Sequence, residues 1–237
     1  KYITVLSDSE TGAVIDVSEG RTIEKSSELI TSSLTQEQRG SVKTISMDMW
    51  EAFAKVAKKH LNQALIIHDR FHIAKYLTDA VDSTRRSELS KVDELKGQKY
   101  NFIKNFENLT DNKVSSFALA YEKAEKTANA WTFKEFFRDF FTMKDYKLGR
   151  CFFRKWCYKA ARSKSTFINK VSKTFRNHSN GILNYLRSPQ TNSKAENVNG
   201  TIQMIKVIAK GFRRFENFRI AILFHCGQLD LDPRKNQ

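Results

Sequence analysis

The chain predicts a mixed α/β fold in which a long all-helical insertion interrupts the sheet-bearing part. Three observations carry this. Two short apolar runs, at 42–47 and 64–67, each end within a residue or so of an aspartate, Asp48 and Asp69, and the stretch between them is long enough for one helix. Parallel strands need such a crossover, and open α/β sheets place their chemistry at the carboxyl ends of strands. A Gly-containing hairpin precedes the pair, and from Phe71 to about Arg187 no strand signal recurs.

In chain order, residues 2–6 and 13–17 alternate as strands around Asp8-Ser9-Glu10-Thr11-Gly12, a β-hairpin. Gly20 ends the second strand, and a polar helical connection (23–38) leads to Gly40 and the first parallel strand. Residues 49–60 read as a helix with Trp50, Phe53, Ala54, Val56 and Ala57 on its buried side, and the second parallel strand follows at once. Ile73, Tyr76, Leu77, Ala80, Val81 and Thr84 then step along one helical face, and later Phe-, Lys- and Arg-rich segments keep that period. The expected organisation is a sheet-bearing part at 1–70, a helical insertion at 71–187, and returning helices at 188–237.

Charge points to the partner. Residues 141–220 hold 18 Lys+Arg against three acids, and the rest of the chain balances, so the whole +15 surplus sits in one third of the protein. Trp156, Tyr158 and Phe175 are threaded through that block. It suits a polyanion, because each neutralised phosphate releases a counterion; a solvated basic surface is the plainer alternative. Cys151, Cys157 and Cys226 are odd in number and lack zinc-site spacing, as in a reduced cytosolic protein. No apolar run approaches membrane-spanning length.

After Ser188-Pro189, residues from Ser193 open a helix with Ala195, Val198, Ile202, Ile205, Ile208 and Ala209 on its apolar face and Glu196, Asn199, Gln203, Lys206 and Lys210 opposite; Gly211 closes it. Ser193-x-x-Glu196 also reads as a capping box, which would give Glu196 a purely structural role. Asp69 reads equally as the N-cap of the next helix, and Asp8 as a turn residue. Trp50 and Phe71 are expected in the core.

The ordered set Asp48, Asp69-Arg70-Phe71-His72, a helical insertion, Ser-x-x-Glu196-Asn-x-Asn-Gly, Ile205-Lys206 and Gly211-Phe212-Arg213 resembles the transposases of the ISL-three insertion-sequence family. Tyr2-Ile3-Thr4-Val5, Glu19-Gly20-Arg21, Ser46-Met47-Asp48-Met49-Trp50 and Phe215-Glu216-Asn217-Phe218-Arg219 extend the likeness over nearly the whole chain. The resemblance implies an RNase H-like DDE domain that cleaves and joins DNA with Mg²⁺ or Mn²⁺. It implies Asp48 as the second acid and Glu196 as the third, both metal ligands, with the first acid upstream of Lys1. Asp69 and His72 are similar to that family's C/D-x-x-H signature and are assigned a supporting role. Lys206, Lys210, Arg213 and Arg214 continue from the Glu196 helix as candidate phosphate contacts. The implied setting is bacterial cytoplasm, nucleoid-associated, with DNA as partner, no membrane, and a homo-oligomer on DNA. A catalytically incomplete remnant that only binds DNA is the alternative.

Overall fold

The computed structural model describes residues 2–189 and 193–229. Within them the chain is mostly helical, with two small sheets. Strands β1 (Ile3–Ser7) and β2 (Val14–Glu19) form the antiparallel hairpin. Its register slips between Leu6 and Ser7, leaving Ile15 as an extra residue. Such a bulge resets the two-residue alternation, so Val14 and Val17, three apart, both join the core while Ile15 faces outward.

The helical 23–38 connection is built of two helices. α1 (Ile23–Ser33) is capped by Thr22, and α2 (Gln36–Ser41) restarts at Thr35, whose hydroxyl and backbone amide complete a capping box with Gln38. Then come β3 (Thr44–Met47), α3 (Glu51–His60) and β4 (Leu65–His68). The Leu65 amide donates to the Lys43 carbonyl at 2.8 Å, setting the two strands' starting ends side by side, the direction a helical crossover demands.

Helices α4 (Arg70–Glu88), α5 (Lys99–Ile103), α6 (Asp111–Lys123), α7 (Glu125–Phe137), α8 (Tyr146–Ala160), α9 (Thr166–Asn177) and α10 (Ser179–Asn184) follow, then α11 (Ser193–Ile208) and α12 (Phe215–Cys226). No strand occurs among the described residues after β4.

The single mixed sheet expected from the sequence is not what forms: among the described residues β1–β2 and β3–β4 are separate two-stranded sheets. β1 and β3 share no ladder, yet residues 4–7 and 44–47 line one common cleft of about 670 Å³. Local periodicity places strands; it does not pair them.

The chain divides into two compact units, residues 1–66 with 190–237, and residues 67–189. In the first, Val14 and Val17 pack with Ile202 and Ile205 of α11 and with Phe218, Ile222 and Cys226 of α12. A neighbouring cluster joins Ile30 of α1 to Val56 and Leu61 around α3. The second is built on aromatics. Trp156 stacks on Phe175 and meets Phe137 edge-on, with ring centroids 4.8 Å apart, and its indole donates to the Phe133 carbonyl at 3.1 Å. α4 presents Ile73, Leu77, Ala80, Val81 and Thr84 to this unit's interior, the face its spacing predicts.

Candidate active site

β3 delivers Asp48 directly beyond its last residue. The Asp48 Oδ1 accepts the Met49 amide at 2.6 Å, and Met49 turns into the core. α3 therefore starts at Glu51, two residues later than its periodicity suggests, and Asp48 stays half-buried at the strand end, lining the cleft.

α11 brings a second group to that cleft. Ser193 is already its first helical residue; the Ser193 and Ala195 side chains, and with them the capping-box reading, lie outside the described residues. Lys194 reaches back to the hairpin loop, its ammonium donating to the Glu10 carbonyl, and it lines the cleft with Asp48. A Cβ on Gly12 would sit 3.3 Å from that of Lys194, and Gly12 itself adopts φ 82°, so glycine is demanded twice. Glu196, two residues further along, is exposed in the first turn of α11 and is not among the residues lining the cleft.

Asp8 belongs to the loop. Its Oδ1 accepts the Glu10 amide, the Thr11 amide and the Thr11 hydroxyl at 2.8, 2.6 and 3.0 Å. The Thr11 amide is the main influence holding its carboxyl below the ordinary value, with smaller help from the Thr11 hydroxyl, the Glu10 amide and the Lys194 charge against the opposing effect of burial.

In the second unit, Asp69 caps α4 by accepting the Phe71 amide at 2.9 Å, and His72 Nε2 lies 3.7 Å from Asp69 Oδ2. The tetrad is thus a local strand-to-helix junction. Lys206, Lys210, Arg213 and Arg214 are all exposed, and none enters an ion pair among the described residues. Lys210 takes a left-handed backbone (φ 51°), closing α11 with amide bonds from Lys210 to Val207 and from Gly211 to Lys206, both 3.0 Å. Gly211, also left-handed at φ 93°, closes the helix as expected, together with Lys210.

Four expectations about apolar residues fail. Trp50 is 44% exposed and Phe71 53%, so neither is core. Trp50 instead carries the Arg21 guanidinium 4.4 Å from its ring centroid, and Arg21 also approaches Tyr2 at 5.2 Å. Ile208 and Ala209, one turn beyond buried Ile205, are exposed because the helix ends there. Of the aromatics in the basic block, Trp156 and Phe175 are core and Tyr158 alone is exposed.

Sequence reading missed the pair of Asp16 and Arg219. Arg219 Nε donates to Asp16 Oδ1 at 2.7 Å, joined by the Ser33 hydroxyl at 3.0 Å and the Val17 amide at 2.6 Å. An acid inside an apolar strand, Val-Ile-Asp-Val, was the available signal; 203 residues separate it from its partner.

Asp48 and Glu196 carry the hard oxygen donors that a divalent ion of the kind the resemblance implies prefers, but of the two only Asp48 lines the cleft. They fall short in number: among the described residues no three His, Cys, Asp or Glu side chains converge as a metal site.

The fold and site define a mixed α/β protein with acids at a strand end and a helix start, and a large cationic surplus. The chain belongs to the DDE transposase family of ISL3 insertion sequences: the family model, described as Transposase, matches residues 1–222. It is 23% identical over 230 residues to the transposase for insertion sequence element IS1001 of Bordetella parapertussis, covering 94% of this chain and 56% of that protein. It is 22% identical over 241 residues to the transposase for IS1557 of Mycobacterium tuberculosis, covering 90% of this chain and 54% of that protein. The chain spans about half the length of the curated relatives it matches. No solved structure matches. No helix among the described residues is long and apolar enough to cross a membrane.

Proposed function

We propose that this chain acts as a metal-dependent catalytic domain that cuts transposon ends and joins them to target DNA. The observation that supports it most is the meeting of Asp48, at the end of β3, with the first turn of α11 at one cleft, through Lys194 two residues before Glu196. In this reading Asp48 and Glu196 hold a divalent cation, Mg²⁺ or Mn²⁺, which when bound activates the attacking oxygen and stabilises the departing one. Asp69 and His72 fix the start of α4 and position it; they hold no metal. Lys206, Lys210, Arg213 and Arg214 grip phosphates and orient the duplex without reading its sequence. DNA is the partner, in the bacterial nucleoid, with two or more copies acting on paired ends.

The test uses the full-length protein and a duplex carrying the element's end. Asp48→Asn and Glu196→Gln each remove one charge and little volume. Each is expected to lower Mg²⁺-dependent nicking by about 1000-fold, while duplex affinity stays within about twofold. Near-normal nicking by Glu196→Gln overturns the assignment.

A further inference from the structure

In the second unit, one face of α8 is covered by cations that form no ion pair among the described residues. Gly149, Phe153, Trp156, Cys157 and Ala160 turn inward; Lys147, Arg150, Arg154, Lys155 and Lys159 all turn outward, with Tyr158 among them. These positions recur at three- and four-residue steps and so form one strip, which Arg162 extends by laying its guanidinium 3.7 Å from the Tyr158 ring centroid. Between Asp145 and Glu196 the sequence contains twelve Lys and Arg and no acid.

The contrast within the unit is informative. Arg138 pairs with Glu107 and Glu135, Lys164 with Glu125, and Arg85 with Asp82. Among the described residues none of the five α8 cations pairs with a carboxylate. A surface that leaves so many like charges side by side is disfavoured by its own repulsion until polyanion binding relieves it.

We infer that the outer face of α8 is a DNA-contact surface, in addition to the residues proposed at the end of α11, that holds the phosphate backbone of a duplex irrespective of its sequence. The inference deepens the proposed function and rests on DNA being the partner. The strip from Lys147 to Arg162 runs roughly 22 Å at 1.5 Å per residue, enough to cross a major groove about 12 Å wide and reach phosphates on both sides. Side chains with separate flexible ammonium and guanidinium heads suit phosphates, which position a duplex without specifying it.

A reporter is built in. Cys151 is exposed on this same strip, whereas Cys157 and Cys226 are buried, and burial pushes the Cys157 thiol up to about 12. In the full-length protein, alkylation of Cys151 by uncharged N-ethylmaleimide, followed by peptide mass, reads occupancy of the strip. Saturation with a mixed-sequence duplex should slow that reaction by about fivefold or more, equally for two unrelated sequences. Replacing Lys147, Arg150, Arg154, Lys155 and Lys159 together by Gln should weaken duplex binding at least about tenfold near 0.15 M salt. The slope of log K against log salt should flatten by about 0.9 for each phosphate that is no longer neutralised. All five side chains are exposed, so an unchanged thermal melt establishes folding. Duplex binding with no protection of Cys151 and an unchanged slope overturns this surface and leaves the transposase reading standing. Absence of any duplex binding overturns both. Protection by phosphatidylserine vesicles but not by duplex overturns it in favour of a lipid surface.

Discussion

Replacing Arg219 by methionine keeps most of the side-chain stem and deletes the cation that ties α12 to the hairpin. The ion pair with Asp16 is 2.7 Å long; the Asp16 side chain is 13% exposed and that of Arg219 34%. Losing one partner of a fully buried pair costs about 3–5 kcal/mol, because the other charge stays desolvated and unmatched. Water still reaches a third of Arg219, and Asp16 keeps the Val17 amide and Ser33 hydroxyl, so the expected loss for Arg219→Met is about 2 kcal/mol. Asp16→Asn should cost less, about 1 kcal/mol, since it strands the better-solvated partner. Urea unfolding at pH 7 of both single variants and the double variant gives the coupling directly, expected at about 1 kcal/mol. The pair also sets a pH dependence. Burial pushes the Asp16 carboxyl up, but the Arg219 guanidinium, the Val17 amide and the Ser33 hydroxyl together outweigh it and hold the group below its ordinary value. The native state thus binds this proton less readily than the unfolded chain. Its stabilisation is complete above the unfolded carboxylate value of about 3.9 and is lost as pH falls through the lower native one. Asp16→Asn should abolish that component. A coupling near zero at pH 7, or an Arg219→Met loss under about 0.5 kcal/mol, refutes the argument.

Two further perturbations test the packing around the helices. Glu88, buried in the second unit, accepts the Lys126 amide, the Thr127 amide and the Thr127 hydroxyl at 3.1, 2.8 and 2.8 Å, so it caps α7 from another helix. Glu88→Ala should destabilise by about 3 kcal/mol, because three donors lose a charged acceptor at once; calorimetry of the melt reads it, and a loss under about 1 kcal/mol counts against the cap. Lys210 carries the left-handed backbone penalty at the end of α11, so Lys210→Gly should stabilise by about 1 kcal/mol in the same assay, while removing one candidate phosphate contact.

Much of the local structure was legible in the residues. The hairpin, the strand–helix–strand segment whose first strand ends at Asp48, and the buried face of α4 all follow from periods of two and 3.6, which depend on neighbours a few residues away. The misplacements share a cause. Trp50 reads as core on a helical wheel, but the wheel starts only at Glu51, and Arg21, far off in sequence, gives the ring an exposed partner. Ile208 reads as apolar-face, yet the helix stops under it. Trp156 and Phe175 sit in a basic block by sequence and in an aromatic core by packing.

By itself the sequence determined the alternation that makes strands and helices, the acids at a strand end and a helix start, the cationic surplus, and the family. Only the tertiary structure decided that β1 and β3 face a common cleft instead of pairing, that Lys194 brings the start of α11 to the strand end bearing Asp48, and that Asp16 finds Arg219 across 203 residues. The reason is physical. Periodicity is a property of neighbouring residues, whereas pairing and charge neutralisation depend on which distant surfaces the chain buries together, and burial is settled by the whole core.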